Sequence, residues 1–90
     1  MRCRSVLVLL AFGTLAGAAF AANPKDLRDC DDARGDARIA ACTRVIKAGD
    51  ISTNALASAY NKRAIAWGNK GDSDKAFDDY SAAIRTNPSF

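Results

Sequence analysis

The chain has no histidine and no glutamate; all ten acidic residues are aspartate. Without histidine there is no Ser-His or Cys-His pair, no general base that titrates near neutrality, and none of the commonest metal ligand. Only three cysteines occur, and no two have the C-x-x-C spacing of a redox pair. No segment alternates apolar and polar residues with a period of two, so no strand is predicted. No polybasic stripe or aromatic-basic platform is present, which removes the usual basis for nucleic-acid binding. The acidic clusters Asp29, Asp31, Asp32 and Asp78, Asp79 read as solvated helix faces among Arg and Lys rather than as acid–base pairs. No catalytic residue, metal site or cofactor is expected.

What the chain does have begins with a targeting segment. Arg2 and Arg4 precede an unbroken apolar run, Val6 to Phe12, and a small-residue tail ending in Ala19-Phe20-Ala21. This is the pattern of a signal peptide over residues 1–22, cleaved after Ala21 or Ala22. The alternative is an uncleaved anchor, for which the apolar stretch lies near the lower limit of roughly 18 residues and is interrupted by Gly and Thr. Arg2 and Arg4 leave with a cleaved signal, so the mature part carries 11 basic residues against 10 acidic ones. The formal charge of +3 is therefore largely a property of the leader. An exported product, periplasmic or secreted, is expected, with no membrane partner unless the signal is retained.

Cys3 belongs to the leader, which leaves Cys30 and Cys42. In an exported chain these read as one disulfide. On one straight helix they would lie ~18 Å apart, whereas a disulfide needs Cα atoms within roughly 4.4–6.8 Å. The chain must then fold back between them, and Arg34-Gly35-Asp36 is the place for that turn. The alternatives are two free buried thiols, or a zinc site that two thiolates without histidine would leave incomplete.

Four helices are predicted. Asn23 caps the first, with Pro24 at its first position, and it runs from Lys25 to about Ala33. Leu27 and Cys30 are its inward candidates. Asp36 caps the second, Ala37 to Ala48, whose inner face is Ile39, Cys42, Val45 and Ile46, and Gly49 closes it. Ser52 or Thr53 caps the third, which runs to about Lys70 with a stripe of Leu56, Tyr60, Ala64 and Trp67 beside Ala57. Asp72 or Ser73 caps the fourth, which runs to about Thr86. Its expected inner face is Ala76, Phe77, Tyr80, Ala83 and Ile84, and Trp67 of the third helix and Tyr80 of the fourth are the hairpin's expected buried anchors.

The offsets of Tyr60, Ala64, Trp67, Gly71, Ala76, Tyr80, Ala83 and Pro88 resemble a tetratricopeptide repeat, a unit of ~34 residues in two antiparallel helices. The resemblance covers residues 57–90 well. It covers 27–51 only loosely, as a degenerate repeat in which Gly35-Asp36 echoes Gly71-Asp72 and Cys42 stands where the second copy has Tyr80. Arg63 departs from the family pattern, which commonly has leucine there. The plainer alternative is an amphipathic helical hairpin of no particular family.

The resemblance implies an all-α fold of antiparallel helix-turn-helix pairs, with a leader (1–22), a stapled degenerate hairpin (23–51) and a repeat-like hairpin (52–90). It implies a non-catalytic module that holds a partner polypeptide in a groove lined by first helices, here through Ser58, Asn61, Lys62, Ile65 and Asn69. These five also read as ordinary solvated helix positions. The family usually closes its last repeat with a capping helix. Pro88-Ser89-Phe90 stands where another helix would start, so either the chain is a truncated product or the flank is covered. Homo-oligomer formation or partner docking is accordingly expected near Phe77, Ile84 and Phe90. The competing functional reading is a small disulfide-stapled secreted structural or inhibitory protein.

Overall fold

Short-range signals bound most of the helices: Gly49 and Gly71 close two of them, and Asn23, Ser52 and Asp72 cap three starts. A computed structural model describes residues 22–89. The described residues form four helices and no strand: α1 (Pro24–Asp32), α2 (Gly35–Ala48), α3 (Thr53–Asn69) and α4 (Ser73–Thr86). The fold is all-α. The leader assigned to residues 1–22 lies outside the described residues except for Ala22, as does Phe90. Among the described residues no helix is long and apolar enough to cross a membrane.

Three caps form as their side chains dictate. Asn23 Oδ1 accepts from the Lys25 N–H at 2.8 Å. Ser52 Oγ accepts from Ala55 N–H at 3.1 Å, and Asp72 Oδ1 accepts from Lys75 N–H at 3.1 Å. Each satisfies one amide that a helix start leaves without a partner. Asp36 does not cap α2, contrary to expectation. The helix starts two residues earlier, its N-cap Arg34 makes no side-chain cap bond, and the Asp36 carboxylate instead accepts from Lys70 Nζ at the far end of α3. The α3–α4 turn is a Schellman closure: Asp72 N–H reaches back to Trp67 C=O at 2.9 Å, and Gly71 N–H to Gly68 C=O at 3.0 Å. Gly71 takes φ +90°, which only glycine adopts without strain.

Consecutive helices pack on one another, and α1 also reaches α3. The Cys30–Cys42 disulfide joins α1 to α2 with Cα atoms 4.6 Å apart. One core cluster gathers Cys30, Ala41, Cys42, Val45 and Ala59, with Ile46 and Ile51 packed against it. Beyond it, every buried residue of α3 and α4 is alanine except Asp79. Alanine lets helices approach closely but removes little apolar area from water per residue.

The facing of α4 differs from the expected one. Its buried positions are Ala76, Asp79 and Ala83. Phe77 is 71 % exposed, Tyr80 41 % and Ile84 63 %. Ala76 and Ala83 are thus buried as expected, but Asp79 completes the buried face and the aromatic stripe is left outside it. The cause lies in α3. Arg63 Nε and Nη2 donate to the two Asp79 carboxylate oxygens at 2.7 and 2.8 Å, and Arg63 Nη1 donates to Thr43 Oγ1 on α2 at 3.0 Å. Asp79, only 5 % exposed, is therefore not part of a solvated face, whereas its neighbour Asp78 is. Trp67 is half-buried rather than a fully buried anchor, and Lys75 Nζ lies 4.3 Å from its ring centre. Tyr80 and Cys42 are not equivalent positions: one is exposed and the other fully buried.

Candidate functional site

Two concavities lie side by side along one face of α3, where α1 and the α1–α2 turn approach it. The first, of about 220 Å³, is lined by Leu27, Cys30 and Asp31 of α1, Val45 of α2, and Ala55, Ser58, Ala59 and Lys62 of α3. Its floor is apolar: the disulfide, Val45 and Ala59 are all buried. The second, of about 570 Å³, is lined by Asp31, Asp32, Arg34, Gly35 and Arg38 with Ile65 and Asn69 of α3. Asp31 borders both.

Four of the five residues expected on the groove line these concavities: Ser58 and Lys62 the first, Ile65 and Asn69 the second. Their spacing along α3 follows the 3.6-residue period, which places them in one row. Asn61 lines neither. Lys62 is already engaged, donating from Nζ to Asp31 Oδ1 at 2.6 Å across the row. The opposite wall was not legible, since Leu27, Asp31, Arg34 and Arg38 share no pattern with α3. The signal available for it was the Arg34-Gly35-Asp36 turn together with the disulfide, which jointly bring α1 back towards α3.

The second concavity is lined mainly by polar and charged side chains, with Ile65 as its one large apolar residue. Arg38 Nη2 donates to the Asp31 backbone carbonyl. Arg38 Nε is buried without an acceptor among the described residues, and a buried donor left unpaired costs on the order of 1–3 kcal/mol. Arg34 is exposed and has no ion-pair partner among the described residues. The wall therefore presents guanidinium donors beside the Asn69 amide, with Asp31 and Asp32 as acceptors.

Comparison with family models, curated proteins and solved structures finds no match. The site is therefore read from its own chemistry. Among the described residues no group of three or more Cys or Asp side chains could hold a metal ion. Among the described residues two groups titrate away from their ordinary values. The Lys25 hydrogen bond holds the Asp29 carboxyl below the usual aspartate range, against a smaller opposing effect of desolvation. The Asp79 carboxylate raises Arg63, again against desolvation. Neither group lines a concavity: Asp29 pairs with Lys25 within α1, and Arg63 ties α3 to Asp79 of α4.

Proposed function

We propose that this chain is a non-catalytic interaction module of tetratricopeptide-repeat type that works in an oxidising compartment outside the cytoplasm and holds an extended polypeptide segment along α3. The observation that carries this reading is the row Ser58, Lys62, Ile65, Asn69 opening onto two adjoining concavities. From Ser58 to Ile65 the row rises ~10 Å, which an extended strand crosses in about three residues. A bound segment would place a small apolar side chain over the disulfide and Val45. About five residues further on, ~16 Å along α3, it would place a polar group beside Asn69 and the two arginines. A carbonyl or carboxylate oxygen of the segment would find a charged donor in Arg34, which is exposed and makes no ion pair among the described residues. The disulfide supports an exported location, because such bonds persist in oxidising compartments.

The test is selection from a displayed peptide library against the oxidised chain, followed by amide chemical-shift mapping with the selected peptides. Shifts confined to the neighbourhood of Ser58, Lys62, Ile65 and Asn69 are expected. Ile65→Asp and Asn69→Asp should abolish them while leaving helicity and the disulfide intact. Selection of no peptide, or shifts that map elsewhere, would overturn the proposal in favour of a stapled structural protein.

A further inference from the structure

The outer face of α4 carries a continuous apolar row. Phe77, Tyr80 and Ile84 follow one another at three- and four-residue spacing, and all three are exposed. One flank of that row is Asp74, Asp78, Ser81 and Arg85, also at helical spacing. Asp74, Asp78 and Arg85 are exposed and make no ion pair among the described residues. The flank is acidic towards the start of the helix and basic towards its end.

We infer that a second copy of this chain covers this face, with the two α4 helices antiparallel about a twofold axis near Ser81. The charge pattern selects both the occupant and the orientation. When two identical helices pair antiparallel, the same flank of each copy meets its counterpart, reversed end for end. Asp78 then lies against Arg85 of the second copy, and Arg85 against its Asp78. In the same register Phe77 meets Ile84, and the tyrosines approach the axis from either side. The antiparallel arrangement also opposes the helix dipoles favourably. A parallel pair would set this flank against the other one, the buried side of Ala76 and Ala83, where the one charge, Asp79, is already paired with Arg63. Such an interface is isologous and closes on itself.

The three side chains supply on the order of 300 Å² of contact per copy, against ~800 Å² per partner in a standard interface. The dimer is therefore weak and concentration-dependent. It does not rest on the α3 groove, since the α4 positions concerned line neither concavity, so peptide binding at the groove and pairing at α4 succeed or fail separately.

Sedimentation equilibrium of the full chain, disulfide formed, up to about 1 mM reaches the weak end of specific association. A monomer–dimer equilibrium is expected. Ile84→Glu should weaken it at least tenfold, and Asp78→Arg about tenfold by setting like charges opposite one another twice. The double variant Asp78→Arg, Arg85→Asp should restore it, because both pairs again have opposite signs. Circular dichroism should show all three variants folded, the positions being exposed. A monomer at every concentration, association unchanged in Ile84→Glu, or a double swap that fails to restore it would each overturn the inference. The last result would point to a different partner on this face.

Discussion

Arg63 and Asp79 form the pair on which the facing of α4 depends. Their side chains are 19 % and 8 % exposed, and both guanidinium-to-carboxylate bonds are made. Breaking a buried pair leaves the survivor's charge uncompensated, which costs about 3–5 kcal/mol, whereas replacing both partners with apolar groups is often neutral. Arg63→Leu restores the residue common in the repeat family, yet here it should destabilise by about 3 kcal/mol. Arg63→Leu with Asp79→Leu should recover most of that loss in urea denaturation, and the cycle gives the coupling directly. Asp29 gives a smaller effect. Its folded pKa lies below the ordinary 3.8. Its ion pair with Lys25 therefore adds stability that is fully present above that value and fades as pH falls through the folded one. An NMR titration should find the Asp29 carboxyl the lower of the two when compared with Lys25→Ala, where it should return towards the ordinary value. Exposure of the pair keeps this a titration effect with little influence on melting.

The helices themselves were legible because their ends are written in short-range chemistry. Asn23-Pro24, Ser52, Gly49 and Gly71-Asp72 act within one turn of the helices they bound, and all did so where the sequence placed them. The disulfide was legible for the same reason, as a distance that required a turn at Gly35. The facing of α4 was not legible. Period alone cannot separate the row 76, 79, 83 from the row 77, 80, 84, and hydrophobicity favours the wrong one. The deciding partner, Arg63, stands sixteen residues away on another helix. The α1 wall of the groove was hidden in the same way, behind contacts between elements. Two element-level outcomes follow. Gly71→Ala meets no atom within 4 Å, so its effect is backbone strain alone; it should destabilise the α3–α4 hairpin by about 1 kcal/mol, read from thermal melting. Reducing Cys30–Cys42 opens a loop of twelve-residue separation and should remove about 3 kcal/mol. Cys30 is the only buried residue of α1, so amides of Pro24–Asp32 should lose hydrogen-exchange protection on reduction before those of α3 and α4.

At the scale of the molecule, a small buried core is set against a row of large apolar side chains that no other described residue covers. Among the described residues Val45 and the disulfide cysteine Cys42 are the largest side chains that are fully buried, while Phe77, Tyr80 and Ile84 of α4 are exposed. A chain this short buries a modest fraction of its surface and needs a staple or a partner to stand clear of unfolding. The disulfide staples the α1–α2 end. Nothing comparable holds the α3–α4 end, whose buried residues are alanines and one ion pair. Pairing through α4 would supply what that end lacks, and mass action makes the contribution measurable. A partner that binds only the folded form raises stability with its own concentration. The midpoint of thermal unfolding should therefore climb as the protein is concentrated from about 10 µM to about 1 mM. In Ile84→Glu it should stay level, with the dilute value close to that of the unaltered chain because an exposed position adds little within one copy. A midpoint independent of concentration in both would mean that the alanine-packed end stands without help from a second copy.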